Sequence, residues 1–317
     1  MGANAAAFAS LLRGATNLSQ CRWILEQLIN SRYAGDIFLG NLALQMFGKL
    51  HGIGDARALF HRMAQTGRNL FSWSIMISAL CRDGHHREAL GCYHAMNLEG
   101  GIEADMVILS TVIGVCSALQ NLCEGRKLHD RVAGCGLESD TVVHNALVSM
   151  YVKCGCLDDA RAVFDATPTR EKDAVSWNVM MAAYSSRGKF QQALEIFNDC
   201  LLHSVQGPDA VSFVTAISAC CGLKDVKQAR ALEELSCSHG FLETSVAVQN
   251  SLINLYGKCA SLSEARLVFD RIASKTALSV RAAVMEVMLR REEKFCHRFV
   301  IAFMLPSILM WCLGLVF

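Results

Sequence analysis

The chain has 317 residues, with 30 lysines and arginines against 29 acids and a formal net charge of +1. So even a balance argues against a protein that lives on non-specific phosphate contacts alone, though not against recognition of bases. Its length exceeds what one compact core usually covers, a limit that does not bind a repeat array. Hydrophobic residues make up 52% and only three prolines occur, which suits helices joined by short turns. None of the fifteen cysteines forms a C-x2-C spacing. The usual signatures of zinc ribbons and thioredoxin-like redox sites are therefore missing. On helix faces, as at Cys154, Cys220 and Cys259, cysteine behaves as a small hydrophobe, in a reducing compartment.

Residues 1–36 read as a degenerate first repeat, with Leu11, Leu12, Leu18, Leu25 and Leu28 continuing the later pattern. Their Ala-rich start carries no acid before Glu26 and also fits an organelle transit peptide. From Ile37 the chain is periodic. Asn145–Asp165 reads NALVSMYVKCGCLDDARAVFD, two short amphipathic helices separated at Gly155. It returns as Asn250–Asp270 and is preceded by Asn41–His61, at offsets of 105 and 104 residues. Trp73 and Trp177 are likewise 104 residues apart. The larger period holds three hairpins of 33, 36 and 35 residues. The boundaries are 37–69, 70–105, 106–140, 141–173, 174–209, 210–245 and 246–276. A fixed period of this size in helical hairpins predicts a solenoid.

Counted from each hairpin's start, the twentieth residue is always small: Ala56, Ala89, Gly125, Ala160, Ala193, Ala229 and Ala265. Close crossing of two helices demands this. The eighth is always apolar: Leu44, Ile77, Ile113, Val148, Met181, Ile217 and Ile253. The twenty-fourth is aromatic in five of seven, with His129 and Glu233 breaking the rule. These are core positions, and Trp73 and Trp177 are read as packing residues. His85 and His86 are read as solvent-facing turn residues.

Residues 277–317 form a divergent segment. Phe299–Phe317 holds no charge and follows Arg290, Arg291, Lys294 and Arg298, which makes it a marginal membrane-spanning candidate. Read-through sequence and an apolar cap are the rival readings.

The hairpins NALVSMYVKCGCLDDARAVFD and AVSWNVMMAAYSSRGKFQQALEIF resemble pentatricopeptide repeats. Tetratricopeptide repeats fit less well. They want a small residue at position 8 and Ala at 27, where this chain has bulky residues and Met63, Met96 and Cys200. The 33/36/35 alternation is similar to the plant-type subfamily that mixes short, standard and long repeats. The resemblance implies an all-α, right-handed superhelical solenoid of seven to eight helix-turn-helix repeats, spanning about Ala5–Thr276.

It also implies sequence-specific binding of single-stranded RNA in a mitochondrion or chloroplast, one base per repeat. The family's reading positions are the fifth and the last of each repeat. Here those pairs are Asn41 with Asn69, Ser74 with Asp105, Ser110 with Asp140 and Asn145 with Asp173. They continue as Asn178 with Asp209, Val214 with Ser245 and Asn250 with Thr276. An Asn amide offers donor and acceptor to a pyrimidine edge, and a carboxylate accepts from a base N–H. The same residues could simply cap helices. Under the family's code Asn with Asp favours U over C, Ser with Asp favours G, and Asn with Asn favours a pyrimidine. Long repeats follow the code poorly, so Ser110/Asp140 and Val214/Ser245 are left open; the expected core is C/U-G-N-U/C-U/C-N-C/U, with Val214 unable to bond a base edge. Lys49, Lys153 and Lys258 recur as candidate backbone contacts or as a solvated face.

Members that edit C to U often carry a deaminase-like domain needing H-x-E together with C-x-x-C, for zinc and a general acid/base. That combination is absent, as are HExxH, P-loop and GxGxxG motifs. The expectation is therefore an adaptor rather than an enzyme, with no metal, cofactor or small-molecule substrate, which recruits a separate editing or processing enzyme. The alternative is a helical-repeat scaffold for protein partners, membrane-associated through 299–317.

Overall fold

A computed structural model describes residues 5–271 apart from 66, 100, 137–139 and 260. The described residues form seventeen α-helices and one 3-10 turn, with no strand among them. They fall into two compact units, divided between Thr167 and Pro168.

The first unit carries α1 (Ala5–Gly14), α2 (Leu18–Ile29), α3 (Ile37–Lys49), α4 (Ile53–Met63), α5 (Leu70–Arg82) and α6 (His86–Glu99). It continues through α7 (Met106–Leu119), α8 (Leu122–Gly134), α9 (Thr141–Lys153) and α10 (Leu157–Ala166). The second unit opens with the 3-10 turn Thr169–Glu171, then α11 (Ala174–Ser186), α12 (Phe190–His203), α13 (Ala210–Leu223) and α14 (Val226–Ser238). It ends with α15 (Phe241–Thr244), α16 (Val246–Lys258) and α17 (Leu262–Arg271). Within each unit the first helices of successive hairpins pack on one another: α3 on α5, α5 on α7, α7 on α9, then α11 on α13 and α13 on α16. Each second helix packs on its own first helix, so every hairpin buries its apolar face against its neighbours.

The small twentieth residues lie at these crossings and are buried. A Cβ on Gly125 would stand 2.5 Å from Met150 Sδ. The eighth-position residues are buried throughout, as are Trp73 and Trp177. The Phe60 and Trp73 rings meet edge to face, and the Arg68 guanidinium lies over both. Cys220 is buried, whereas Cys154 and Cys259 are half-buried C-caps of α9 and α16.

At the hairpin turn the chain reverses through one register. The fifteenth residue is left-handed in His51, Gly84, Gln120, Gly155, Gly188 and Lys224. The next N–H closes the helix end onto the eleventh carbonyl, as in His85 to Leu80 at 2.8 Å and Cys156 to Tyr151 at 2.9 Å. Three of these six turns therefore carry a side chain where glycine is preferred.

A second regularity links the second helices of successive hairpins. Arg22 on α2 bonds Asp55 on α4 at 2.8 Å, and Arg57 bonds Glu88 on α6 at 2.7 Å. Arg126 on α8 bonds Asp159 on α10 at 2.9 Å, and Arg230 on α14 bonds Glu264 on α17 at 2.7 Å. From Arg57 onward the arginine is the twenty-first residue of its hairpin, and each acid is the nineteenth of the next.

Two details differ from the sequence reading. His86 opens α6 rather than lying in a turn, is half-buried, and has a buried Nδ1 without a hydrogen-bond partner among the described residues. The sixth hairpin holds the extra helical turn α15, seated by Phe241 against Phe213 and by Gln249 Nε2, which donates to the Leu242 carbonyl at 2.7 Å. No helix among the described residues is long and apolar enough to cross a membrane. The candidate span 299–317 lies outside the described residues.

Candidate nucleic-acid interface

The last residue of each hairpin stands immediately before the next helix, where the first backbone N–H groups lack intrahelical partners. Its short polar side chain caps that helix. Asn69 accepts from Ser72 N at 3.0 Å and Asp105 from Ile108 N at 2.9 Å. Asp140 accepts from Val143 N at 3.0 Å, Asp173 from Ser176 N at 2.8 Å and Asp209 from Ser212 N at 2.8 Å. Ser245 caps α16 through Val248 N at 3.4 Å. The capping role is thus observed at each of these ends.

Capping does not exhaust these side chains. At Asn69 and Asp209 they also meet the fifth residue. Asn41 Nδ2 donates to Asn69 Oδ1 at 3.1 Å, and Asn178 Nδ2 donates to Asp209 Oδ1 at 3.1 Å. A third residue joins each pair: Ser72 Oγ lies 2.6 Å from Asn41 Oδ1 and 3.0 Å from Asn69 Oδ1, and Ser212 Oγ lies 2.7 Å from Asn178 Oδ1 and 2.9 Å from Asp209 Oδ1, so each hydroxyl's single hydrogen is shared between two acceptors, of which the asparagine amide oxygen is the nearer. Burial pushes the Asp209 carboxyl up, but the Ser212 N–H, the Asn178 amide, the Ser212 hydroxyl and the Val211 N–H outweigh it. The net result lies below the usual carboxylate value, so the group is an anion at neutral pH.

The serine positions behave differently. Ser74 and Ser110 are half-buried, and Ser110 Oγ donates to the Val107 carbonyl of its own helix at 3.1 Å. A serine is too short to repeat the asparagine arrangement, and no hydrogen bond joins Ser74 to Asp105 or Ser110 to Asp140 among the described residues. Asn145 is half-buried on α9 in the first unit, while Asp173 belongs to the second. Asn250 is half-buried on α16, with a buried Oδ1 lacking a partner among the described residues. Its proposed companion Thr276 lies outside them. Val214 is half-buried.

The sequence reading overlooked one row of residues. The second position of six hairpins places a large apolar side chain in solvent: Phe38, Phe71, Val107, Val142, Val175 and Val211. Phe71 is 69% exposed and Phe38 59%. The signal was present. Position 2 lies off the buried helical stripe, so an apolar residue recurring there has no packing reason. Lys49, Lys153 and Lys258 each close a first helix, are exposed, and form no ion pair among the described residues.

Two family models match this chain: the PPR repeat family over residues 172–222, and the PPR repeat over 71–100, 142–166 and 250–275. These stretches are pentatricopeptide repeats. Among curated proteins it is 35% identical over 241 residues to the pentatricopeptide repeat-containing protein At1g15510, chloroplastic, of Arabidopsis thaliana. That match covers 76% of this chain and 27% of the relative. The Arabidopsis protein At3g24000, mitochondrial, is 31% identical over 83% of this chain and 40% of its own length. The chain thus spans about a quarter to two fifths of these pentatricopeptide relatives. Among solved structures it superposes on the maize pentatricopeptide repeat protein PPR10 with a TM-score of 0.72, at 19% identity. The match covers 98% of this chain and 44% of PPR10. PPR10 in complex with an 18-nt psaJ RNA element gives 0.68 at 18% identity, over 96% and 46%. The fold is the all-helical pentatricopeptide solenoid.

Within the pentatricopeptide array the run His86-Arg87-Glu88 does spell H-x-E. Glu88 is held by Arg57, and no group of three His, Cys, Asp or Glu side chains among the described residues is placed to hold a metal. Five of the thiols are driven the wrong way for metal binding or nucleophilic work. Burial raises Cys81, Cys92 and Cys200 to about 11, and Cys116 and Cys220 to about 12.

Proposed function

We propose that this chain binds single-stranded RNA sequence-specifically, one base per repeat, as an adaptor for organellar RNA editing, processing or stabilisation. The observation that carries the reading is the pairing of fifth and last residues in one network, beside an exposed apolar residue two places into the same helix. Polar atoms there suit a base edge, and an exposed Phe or Val suits a base face. The readers are Asn41/Asn69, Ser74/Asp105, Ser110/Asp140, Asn145/Asp173, Asn178/Asp209 and Asn250/Thr276. Phe38, Phe71, Val107, Val142, Val175 and Val211 flank the bases. The relatives named chloroplastic and mitochondrial support an organellar site of action. Catalysis belongs to a separate editing or processing enzyme, which the array delivers to its transcript.

The test is selection from a random single-stranded RNA pool with the full chain. Enrichment of C/U-G-N-U/C-U/C is the expected result. Changing Asn145 and Asn178 to Ser shifts the fourth and fifth bases of that motif towards G. A folded, helical protein that enriches no sequence would overturn the reading in favour of a protein-binding scaffold.

A further inference from the structure

A primary amide shows a base two different faces, and its terminal torsion is soft. What fixes it decides what is read. The Asp209 carboxylate can only accept, so Asn178 must turn Nδ2 towards it. That leaves Oδ1 facing Ser212 Oγ, 2.7 Å away. One amide N–H is used on Asp209, the oxygen is used by Ser212, and the second N–H is left to present. Asn41, Asn69 and Ser72 repeat the arrangement in the first unit. Ser72 and Ser212 are themselves fully buried and cannot touch a ligand.

The serine is the third residue of the following hairpin, and capping alone does not explain its distribution. Asp105 and Asp140 cap α7 and α9 without it, having Ile108 and Val143 at that place. The serine instead follows asparagine. Asn41, Asn145, Asn178 and Asn250 are followed by Ser72, Ser176, Ser212 and Ser279. Ser74, Ser110 and Val214 are followed by Ile108, Val143 and Val248. Ser279 lies outside the described residues.

We infer that this buried serine is a positioning residue for base choice: it pins the amide oxygen of the preceding repeat's asparagine, so that an N–H faces a pyrimidine carbonyl. The inference rests on the RNA reading above. It extends the recognition unit of a repeat from two residues to three, the third borrowed from the next repeat.

The experiment compares the full chain with Ser212→Ala, Ser212→Thr and Ser72→Ala. It uses the RNA selection together with amide NMR of the Asn178 side chain. With Ser212→Ala, pyrimidine preference falls roughly three- to tenfold, the worth of one hydrogen bond. The loss is confined to the base facing Asn178. Ser212→Thr restores it, and Ser72→Ala moves only the base facing Asn41. Unchanged preference at that base, or an equal loss at all bases, overturns the inference. The NMR arm stands even where the parent chain selects no RNA. Asn178 amide signals that shift and exchange faster in Ser212→Ala, and recover in Ser212→Thr, support the positioning role. Signals that do not move refute it, whatever becomes of the RNA reading.

Discussion

Tyr256 donates its phenolic hydrogen to Glu233 Oε2 at 2.6 Å, across the boundary between two repeats. The relationship recurs one larger period earlier, where the Tyr151 hydroxyl lies 2.8 Å from His129 Nδ1. Glu233 and His129 are the two positions where the aromatic twenty-fourth residue is missing. Each polar substitute is met by a tyrosine from the next repeat's eleventh position. Burial, reinforced by Glu233, pushes the Tyr256 phenol far above its ordinary range, so it remains a donor. Tyr256→Phe should cost about 1.5–3 kcal/mol in denaturant unfolding, as for a hydrogen bond to a charged group. Glu233→Phe should also destabilise, by stranding the buried hydroxyl. Glu233→Phe with Tyr256→Leu reproduces the residues of the Phe60 and Leu80 register. It should show a coupling of about 1 kcal/mol or more in a double-mutant cycle.

The left-handed turn residues make a second prediction. A side chain in that conformation costs about 1–2 kcal/mol, part of which is returned by the lower freedom of the unfolded chain. Gln120→Gly and Lys224→Gly should each stabilise by about 0.5–1 kcal/mol. His51→Gly should gain less, because His51 Nδ1 also contacts Asp83 at 2.8 Å. Gly84→Ala and Gly188→Ala should destabilise. Melting temperatures of the five variants decide the matter, and a uniform response would disprove it.

Asp209 gives the array a defined acid dependence. Its folded pKa is held below the unfolded value of about 4. Its contribution to stability is therefore present above that pH and is lost as pH falls through the lower folded value. Asp209→Asn should lower stability at neutral pH, with the deficit shrinking as the solution is acidified through this window. Asn69 shows that an amide can hold the same cap, so the variant should still fold. Urea midpoints measured between neutral pH and about 3 provide the comparison.

Phe38 and Phe71 are exposed, so their loss should not touch the fold. Phe38→Ala and Phe71→Ala should leave unfolding within about 0.5 kcal/mol of the parent. Affinity for the selected RNA should fall by about 1–3 kcal/mol per residue, as for a lost base stack. Equal affinity in filter binding would remove this row from the interface.

The period, the small twentieth residue and the buried eighth residue were legible in the sequence because each is set by contacts that every hairpin repeats. Gly155 marked its turn. His51, Gln120 and Lys224 did not, because hairpin geometry imposes the left-handed conformation whatever residue occupies it. His129 and Glu233 looked like lapses since their partners sit in the next repeat, beyond any local pattern. The site shows the same division. Asn178 and Asp209 stood out by register, whereas Ser212 was masked by its ordinary place in a helix cap. Phe71 was passed over because an apolar residue at a helix start draws no attention until its exposure is known.

The arginine–acid rungs between second helices have a mechanical consequence. Arg22, Arg126 and Arg230 are largely exposed, so each rung is worth little in free energy and is weakened by salt. Every rung nevertheless spans two neighbouring hairpins and none lies wholly within one. Ionic strength therefore acts on the stiffness between hairpins more than on the hairpins themselves. Within a unit the array is an electrostatic spring, firm in dilute buffer and more compliant in brine.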